Sequence, residues 1–299
     1  MAEDIAPLVW RAEDWRDPDG GVIRLLPHLP TVHSPPGLAA GPGWHGLALL
    51  ATEEDLEMWQ QQSVQEAESP GCTAVAMMTA MGGGTAQMLS GLAMLQTLQG
   101  AVFPDPEPSR LLAAAQSAAR PVWLVEPDLD DEGWAALTVA SAEAQVKVRN
   151  LLRAVTGGRR YRRMVKRVGR AETDRLDVAS GGVGTIVGRG EVESKDESER
   201  APTADELIRA AALTSAWWMH SRSHLDQSLR ASFDDRLAAR LRGALAELRD
   251  LVAREQVDDE SPPEAILLAP VTQSWLTHLH EALRRGPVAE RVECMAGEA

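Results

Sequence analysis

The sequence predicts an α/β fold with a mostly parallel sheet flanked by helices, followed by a helix-dominated C-terminal part. Three observations support this prediction. Uncharged apolar runs of strand length alternate with segments of 10 to 15 residues that carry apolar side chains at helical spacing. Residues typical of N-caps precede several of these segments. At 299 residues with 44 % hydrophobic content, the chain is long enough to bury a substantial core.

The first strand is predicted over residues 22–26, before a proline- and glycine-rich stretch that prevents regular structure. The uncharged run over residues 44–51 predicts a buried strand. Thr52 follows it as a helix N-cap, with three acidic residues in the first turn, where the helix dipole favours them. This is the order of a strand followed by a helix.

A second unit has the same order. The apolar run Cys72–Met81 predicts a buried strand, the next three glycines a tight turn, and Thr85 the N-cap of a helix. Alanine and methionine favour helices, so a helix over residues 72–81 stays an alternative. The β-branched residues of the run and the glycine turn favour the strand.

A third unit comprises a helix over residues 109–119, a strand over residues 121–126 and a helix near residues 132–155, which Gly157 and Gly158 end as a C-cap. With the first two units, it predicts an α/β domain over residues 1–156. Residues 157–202 are expected to form a basic segment, helical over residues 159–176, and an exposed linker.

The C-terminal part, residues 203–299, begins with a long helix that Thr203 caps. This helix carries two apolar stripes, rotated by about 100° from each other. We therefore expect it either to bend near Ser228–Ser232 or to pack its two halves against different elements. A short strand over residues 265–269, which can return to the sheet, and a helix over residues 273–285 follow.

Charge is unevenly distributed along the chain. The formal net charge is −14. Between Lys147 and Arg175, however, eleven basic residues face two acidic ones, so this segment carries +9 and the remainder −23. Such segregation favours docking of unlike surfaces, within the chain or between chains. The acidic remainder would repel a nucleic acid, which makes nucleic acid a less favoured partner than a protein or a second copy.

Compartment and cofactors are predicted from what the sequence does not contain. Cys72 and Cys294 are far apart and lack metal-ligand spacing, which predicts no disulfide framework and no metal site. The first residues lack the basic and apolar regions of a signal peptide, so we expect a cytoplasmic protein. Polar residues interrupt the uncharged stretch between Ser69 and Phe103, which predicts no membrane span. No cofactor is predicted.

Two segments are candidates for binding anions, because helix N-termini and clustered arginines both attract phosphate. The candidate residues are Gly82, Gly83, Gly84, Thr85, Arg159, Arg160, Arg162, Arg163, Lys166 and Arg167. Tyr161 could stack on a nucleic-acid base. The glycines lack the residues of a P-loop or a dinucleotide fingerprint, so a turn that merely needs glycine is the simpler interpretation. For the basic segment, the alternatives are a protein contact and a solvated face.

Glu126 and Asp128 follow a predicted strand, where ligands bind in open α/β sheets, and are the candidate catalytic carboxylates. The alternative is that these acidic residues cap the next helix or are solvated. Candidate interface residues lie on the long helix: Trp217, Trp218, His220 and His224. The two histidines are one turn apart, but no third metal ligand accompanies them.

Two hypotheses of function follow. The first is a cytoplasmic, non-catalytic component of a larger protein assembly, supported by the segregated charge, the two apolar stripes and the nine tryptophans. The second is an α/β enzyme acting on a small, possibly phosphorylated ligand. It would use the glycine turn as anion cradle, Glu126 and Asp128 as carboxylates, and an arginine of the basic segment as clamp.

Overall fold

The computed structural model describes residues 8–35, 38–148, 150, 156–178, 202–255 and 264–295. Within these residues one five-stranded sheet has the order β1-β2-β5-β3-β4. The strands are β1 (Glu13–Arg16), β2 (Val22–His28), β3 (Gly46–Leu49), β4 (Val122–Leu124) and β5 (Ile266–Thr272). The β1–β2 pair is antiparallel and the other three pairs are parallel, which confirms the α/β prediction.

Nine helices lie in the described part of the chain. They are α1 (Glu53–Glu68), α2 (Cys72–Met81), α3 (Gly83–Leu92), α4 (Pro106–Ser117), α5 (Glu132–Val146), α6 (Gly157–Val178), α7 (Ala204–Ser221), α8 (Gln227–Glu255) and α9 (Gln273–Arg285). The predicted N-caps Thr52 and Thr203 each accept a hydrogen bond from a backbone N–H of the first turn. None of the helices in these ranges has the length and apolar character that crossing a bilayer requires.

Three hydrophobic clusters hold these elements together. On one face of the sheet, side chains such as Leu25 and Trp123 pack with Leu241 of α8 and Leu279 of α9. On the other face, strand residues pack against α1 and α4. A third cluster joins α3, α6 and α7. Because β5 lies between β2 and β3, the C-terminal strand completes the sheet begun by the N-terminal strands.

The strand predicted over residues 72–81 is wrong, because these residues form α2. The helix preference of alanine and methionine outweighs the strand preference of the three β-branched residues. Gly82, at a φ of +56°, separates α2 from α3, so the glycines connect two helices. Thr85 lies inside α3 and is not its N-cap; its Oγ1 accepts a hydrogen bond from Trp217 Nε1 at 3.0 Å.

Two further boundaries differ from prediction. The helix that starts at Glu132 ends at Val146, and Gly157 and Gly158 begin α6 instead of capping that helix. The long helix after Thr203 is divided, with the break at residues 222–226, before Ser228–Ser232.

The two halves of the long helix, α7 and α8, pack largely against different elements, as predicted: α7 contacts α6 and α3, and α8 contacts α5 and the sheet. Helix α9 contacts both halves. The other predicted strands and helices are confirmed with end shifts of a few residues. The linker predicted before residue 202 lies outside the described residues.

Candidate functional site

The basic segment forms α6, which has a buried and an exposed face. Tyr161, Val168 and Glu172 follow a helical repeat and are each at most 2 % exposed. The Tyr161 hydroxyl donates a hydrogen bond to the Leu213 carbonyl oxygen at 3.1 Å, which joins α6 to α7. A tyrosine buried in this way is unable to stack on a nucleic-acid base, so that expectation is wrong.

Glu172 fixes the other end of α6. Its carboxylate accepts hydrogen bonds from the Leu8 backbone N–H and from Trp10 Nε1, both at 3.1 Å. Arg175 completes the group with an ion pair to Glu172, also at 3.1 Å. Because several donors satisfy this buried carboxylate, they hold α6 in one rotation about its axis.

The opposite face of α6 is basic and exposed. The exposed cations of this face include Arg159, Arg162, Arg163, Lys166 and Arg170. They recur at three- and four-residue intervals, so they form one stripe about 16 Å long. None of these five forms an ion pair with a carboxylate of the described residues. We refer to them as the basic stripe.

The glycine segment and the basic segment meet at His220, near the end of α7. A Cβ on Gly84 would lie 3.0 Å from His220 Cδ2, and one on Gly157 would lie 3.4 Å from His220 Nε2. A Cβ on Gly158 would lie 2.5 Å from Gln87 Nε2. Glycine is therefore needed for the N-terminal turns of α3 and α6 to approach this closely. The candidate anion-binding residues of the glycine segment and those of the basic segment are therefore close in space, although they are far apart in sequence.

The electrostatics of this junction favour negative charge. Two helix N-termini, each with partial positive charge, lie beside Arg160. Burial, and then the positive charge of Arg160, lowers the pKa of His220 and so favours its neutral imidazole. The basic stripe starts next to this junction and extends the positive surface along α6.

The interface candidates on α7 and beyond make contacts inside the chain. Trp217 bonds Thr85 of α3, and His220 packs against the glycines. The Trp218 ring stacks on His278 of α9, with ring centroids 5.6 Å apart. His224 Nε2 lies 3.1 Å from Ser141 Oγ of α5.

The carboxylate candidates lie at the carboxyl edge of the sheet, in another part of the fold. Glu126 follows β4 and is half-buried, while Asp128 is exposed. Burial, and then the negative charge of Asp55, raises the pKa of Glu126 to about 7. Asp131 caps α5 through Trp134 N at 2.8 Å, as the alternative interpretation expected for this acidic run. Across the described ranges, no group of three potential ligands could hold a metal ion.

Sequence reasoning missed a polar pair at the same edge, formed by a buried histidine and a partly buried aspartate. His28 Nε2 lies 3.4 Å from Asp105 Oδ2, and His28 is only 6 % exposed. His28 Nδ1, Asp105 Oδ1 and Thr31 Oγ1 are buried without a hydrogen-bond partner in the described structure. The signal in the sequence was a histidine at the end of an apolar strand, but nothing in the sequence identified its partner.

A small cleft opens beside β2, lined in part by Trp10, Arg11 and Arg24. Its volume is about 120 Å³, below the roughly 300 Å³ at which ligand pockets begin. Arg24 is engaged with Asp14 at 2.7 Å. This cleft therefore offers little room for a substrate.

Comparison with protein-family models, with curated proteins and with solved structures finds no match for this chain.

Proposed function

We propose that this protein is a cytoplasmic, non-catalytic component of a larger protein assembly, and that the basic stripe of α6 docks an acidic surface of its partner. The observation that carries the proposal is the stripe itself: five exposed cations without ion pairs to described carboxylates, in a chain of net charge −14. Complementary potentials of this kind steer encounters and fix the orientation of a partner.

Clustering the cations has a cost in the isolated chain. Arg159 and Arg163, Arg162 and Lys166, and Lys166 and Arg170 are pairs at i,i+4 spacing. Each such like-charge pair destabilises a helix by about 0.2–0.5 kcal/mol. An acidic partner surface would turn this repulsion into attraction.

The stripe is also held rigidly. Tyr161 and Glu172 bind α6 to α7 and to the segment before β1, so the exposed cations are presented in a fixed row. A preorganised surface loses less conformational entropy when it binds. These features favour α6 as a docking element over a merely solvated helix.

The enzyme hypothesis is the second candidate, because the glycine segment and Arg160 both lie beside His220 and Glu126 has a pKa of about 7. The contacts of Gly84 are with α6 and α7, whereas Glu126 interacts with Asp55 of α1. The hypothesis predicts that small phosphorylated compounds stabilise the wild type in a thermal-shift screen. It also predicts that E126A/D128A alters the turnover of any compound found, and unchanged turnover would reject these catalytic roles.

The assembly proposal is tested on tagged protein isolated from its own cells. Native mass spectrometry would compare the wild type with R162E/R163E/K166E and with R254E/R284E/R291E, a control with the same charge change at exposed sites elsewhere. We expect the wild type and the control in an assembly of defined mass, and the α6 variant as a single chain. A wild type that is a single chain, or an α6 variant that keeps the assembly, would contradict the proposal.

A further inference from the structure

The exposed face of α5 has the opposite charge to α6 and carries unusual apolar exposure. Its members are Glu132, Ala136, Val139, Glu143 and Val146, all exposed. They recur at four- and three-residue intervals and so form one stripe along the helix. Val139 and Val146 are 57 % and 65 % exposed. We refer to these five residues as the acidic–apolar stripe.

The inner face of α5 fixes the orientation of this stripe. Trp134 is 7 % exposed and packs edge-on against Phe233 of α8, with ring centroids 5.0 Å apart. Ala144 is buried on the same inner side. The acidic–apolar stripe therefore points away from the core, and contact with another molecule would remove its valines from water.

The two stripes match in length. Glu132 and Glu143 are eleven positions apart on α5, and Arg159 and Arg170 are eleven positions apart on α6. Each pair therefore spans about 16 Å of helix. If one stripe lies along the other, in either direction, both carboxylates meet cations. Val139 then faces the central part of the basic stripe, where aliphatic stems of long basic side chains can cover it, whereas Val146 lies three positions beyond Glu143, past the end of the matched span.

Both helices are anchored near the end of α7. Ser141 of α5 contacts His224, just after α7, and Gly157 at the start of α6 lies against His220, in the last turn of α7. In a two-fold dimer, the contact between α5 of one copy and α6 of the other occurs twice.

We propose that the partner of the basic stripe is a second copy of this chain, bound through the acidic–apolar stripe of its α5. This inference rests on the proposed function, because it names the occupant of the α6 surface. The charge of one stripe complements that of the other, and the contact also covers Val139, which is 57 % exposed in the single chain. Attraction between exposed charges is screened by salt, so the association is salt-sensitive.

The test measures the mass of the purified chain by sedimentation velocity at about 50 mM and about 500 mM salt. Variant E132K/E143K makes α5 basic, and variant R159E/R170E makes the ends of the α6 stripe acidic. The control is E57K/E68K, which places the same charge change at the same spacing on the exposed side of α1. Circular dichroism verifies that each variant is folded.

We expect the wild type and the control to dimerise at the lower salt and to dissociate at the higher. Each stripe variant alone should associate at least about 30-fold more weakly than the wild type, because like charges then face each other. An equimolar mixture of the two stripe variants should dimerise again, since every contact pairs unlike charges. Recovery in the mixture excludes misfolding as the cause of the loss.

A wild type that is monomeric at the lower salt would overturn the inference. So would stripe variants that still dimerise alone, or a mixture that stays monomeric. The proposed function fails separately, when R162E/R163E/K166E keeps the assembly formed in cells. A monomeric purified chain together with a cellular assembly that depends on α6 would reject the second copy and leave docking on α6 intact.

Discussion

The arginines of α8 and those of α6 show two uses of the same side chain. Four arginines of α8 bind carboxylates or backbone carbonyls of other segments: Arg236 to Asp131 and Glu290, Arg240 to Val125, Arg242 to Asp17, and Arg249 to Gly20. The basic stripe of α6 has no carboxylate partner among the described residues. The α8 arginines connect α8 to other segments of the fold, whereas the cations of the basic stripe are exposed and, in the proposed function, bind an external surface.

Burial explains the difference. The side chains of Arg242 and Asp17 are 10 % and 4 % exposed, and a charge in such surroundings must be paired to be tolerated. The cations of the basic stripe stay in water, where an ion pair contributes little. We therefore expect α8 substitutions to change the free energy of unfolding and α6 substitutions to change association.

The largest effect is expected at Gly243 of α8, where the C-terminal segment crosses the helix. A Cβ at this position would lie 1.6 Å from the Glu290 carbonyl oxygen, so G243A must displace that segment. We expect the free energy of unfolding in urea to fall by about 4 kcal/mol. The matched change in α6 is G169A, whose Cβ would meet only Ala212 at 3.7 Å. There the free energy should stay equal or rise by about 0.5 kcal/mol.

Removing Arg242 is expected to have the next largest effect. In the wild type, the buried carboxylate of Asp17 accepts a hydrogen bond from Arg242 Nε at 2.7 Å. R242A leaves this carboxylate without its charged partner. The expected loss in the free energy of unfolding is about 3 kcal/mol. R163A on the basic stripe should change it by less than about 0.5 kcal/mol. Equal losses in the free energy of unfolding of R242A and R163A would contradict the different roles of the α8 arginines and the basic stripe.

Glu126 gives a pH-dependent effect of intermediate size. Its raised pKa, about 7 against an ordinary 4.5, means that the folded state binds this proton more tightly than the unfolded state. The resulting stabilisation is complete below about pH 4.5 and is lost as the pH rises towards 7.

In urea unfolding, the free energy of unfolding of E126Q should therefore exceed that of the wild type by about 3 kcal/mol at about pH 8 and match it at about pH 4. D128N, at an exposed carboxylate, serves as the control and should follow the wild type at both pH values. A constant difference between E126Q and the wild type would show that Glu126 titrates normally.

The smallest effect is expected from reversing one charge of the basic stripe. R163E converts like-charge pairs with Arg159 and Lys166 into unlike ones. The free energy of unfolding of the monomer should rise by about 0.3 kcal/mol at low salt, and high salt should abolish the gain. A loss larger than about 1 kcal/mol in urea unfolding would show that Arg163 holds the fold as the α8 arginines do.

Local signals predicted most of the fold. Thr52 and Thr203 were recognised as caps because N-capping depends on neighbouring residues only. The returning strand β5 and helix α9 were predicted from apolar pattern and length. Residues 72–81 were mistaken for a strand because an apolar run of that length suits both a buried strand and a helix. The amino acid preferences that decided for the helix were visible in the sequence.

The site was harder to predict, because its contacts join distant residues. Composition identified the basic segment, but only the structure shows which cations are exposed and that Gly84 and Gly157 meet at His220. The pair of His28 and Asp105 joins positions far apart in sequence, and no local pattern announces such a pair. The acidic–apolar stripe on α5 was hidden because a helix that is apolar on most sides resembles a buried one.

If the basic stripe docks a partner, its cations are covered in the assembly and exposed in the single chain. The α8 arginines are covered in both states. Modification of arginines by a dicarbonyl reagent, mapped by mass spectrometry, tests this difference on the assembly isolated from cells and on the same chain dissociated by salt. We expect Arg162 and Arg163 to be protected in the assembly and reactive after dissociation, Arg242 to be protected in both, and Arg284 to be reactive in both. Equal reactivity of Arg162 and Arg163 in the two states would contradict docking on α6.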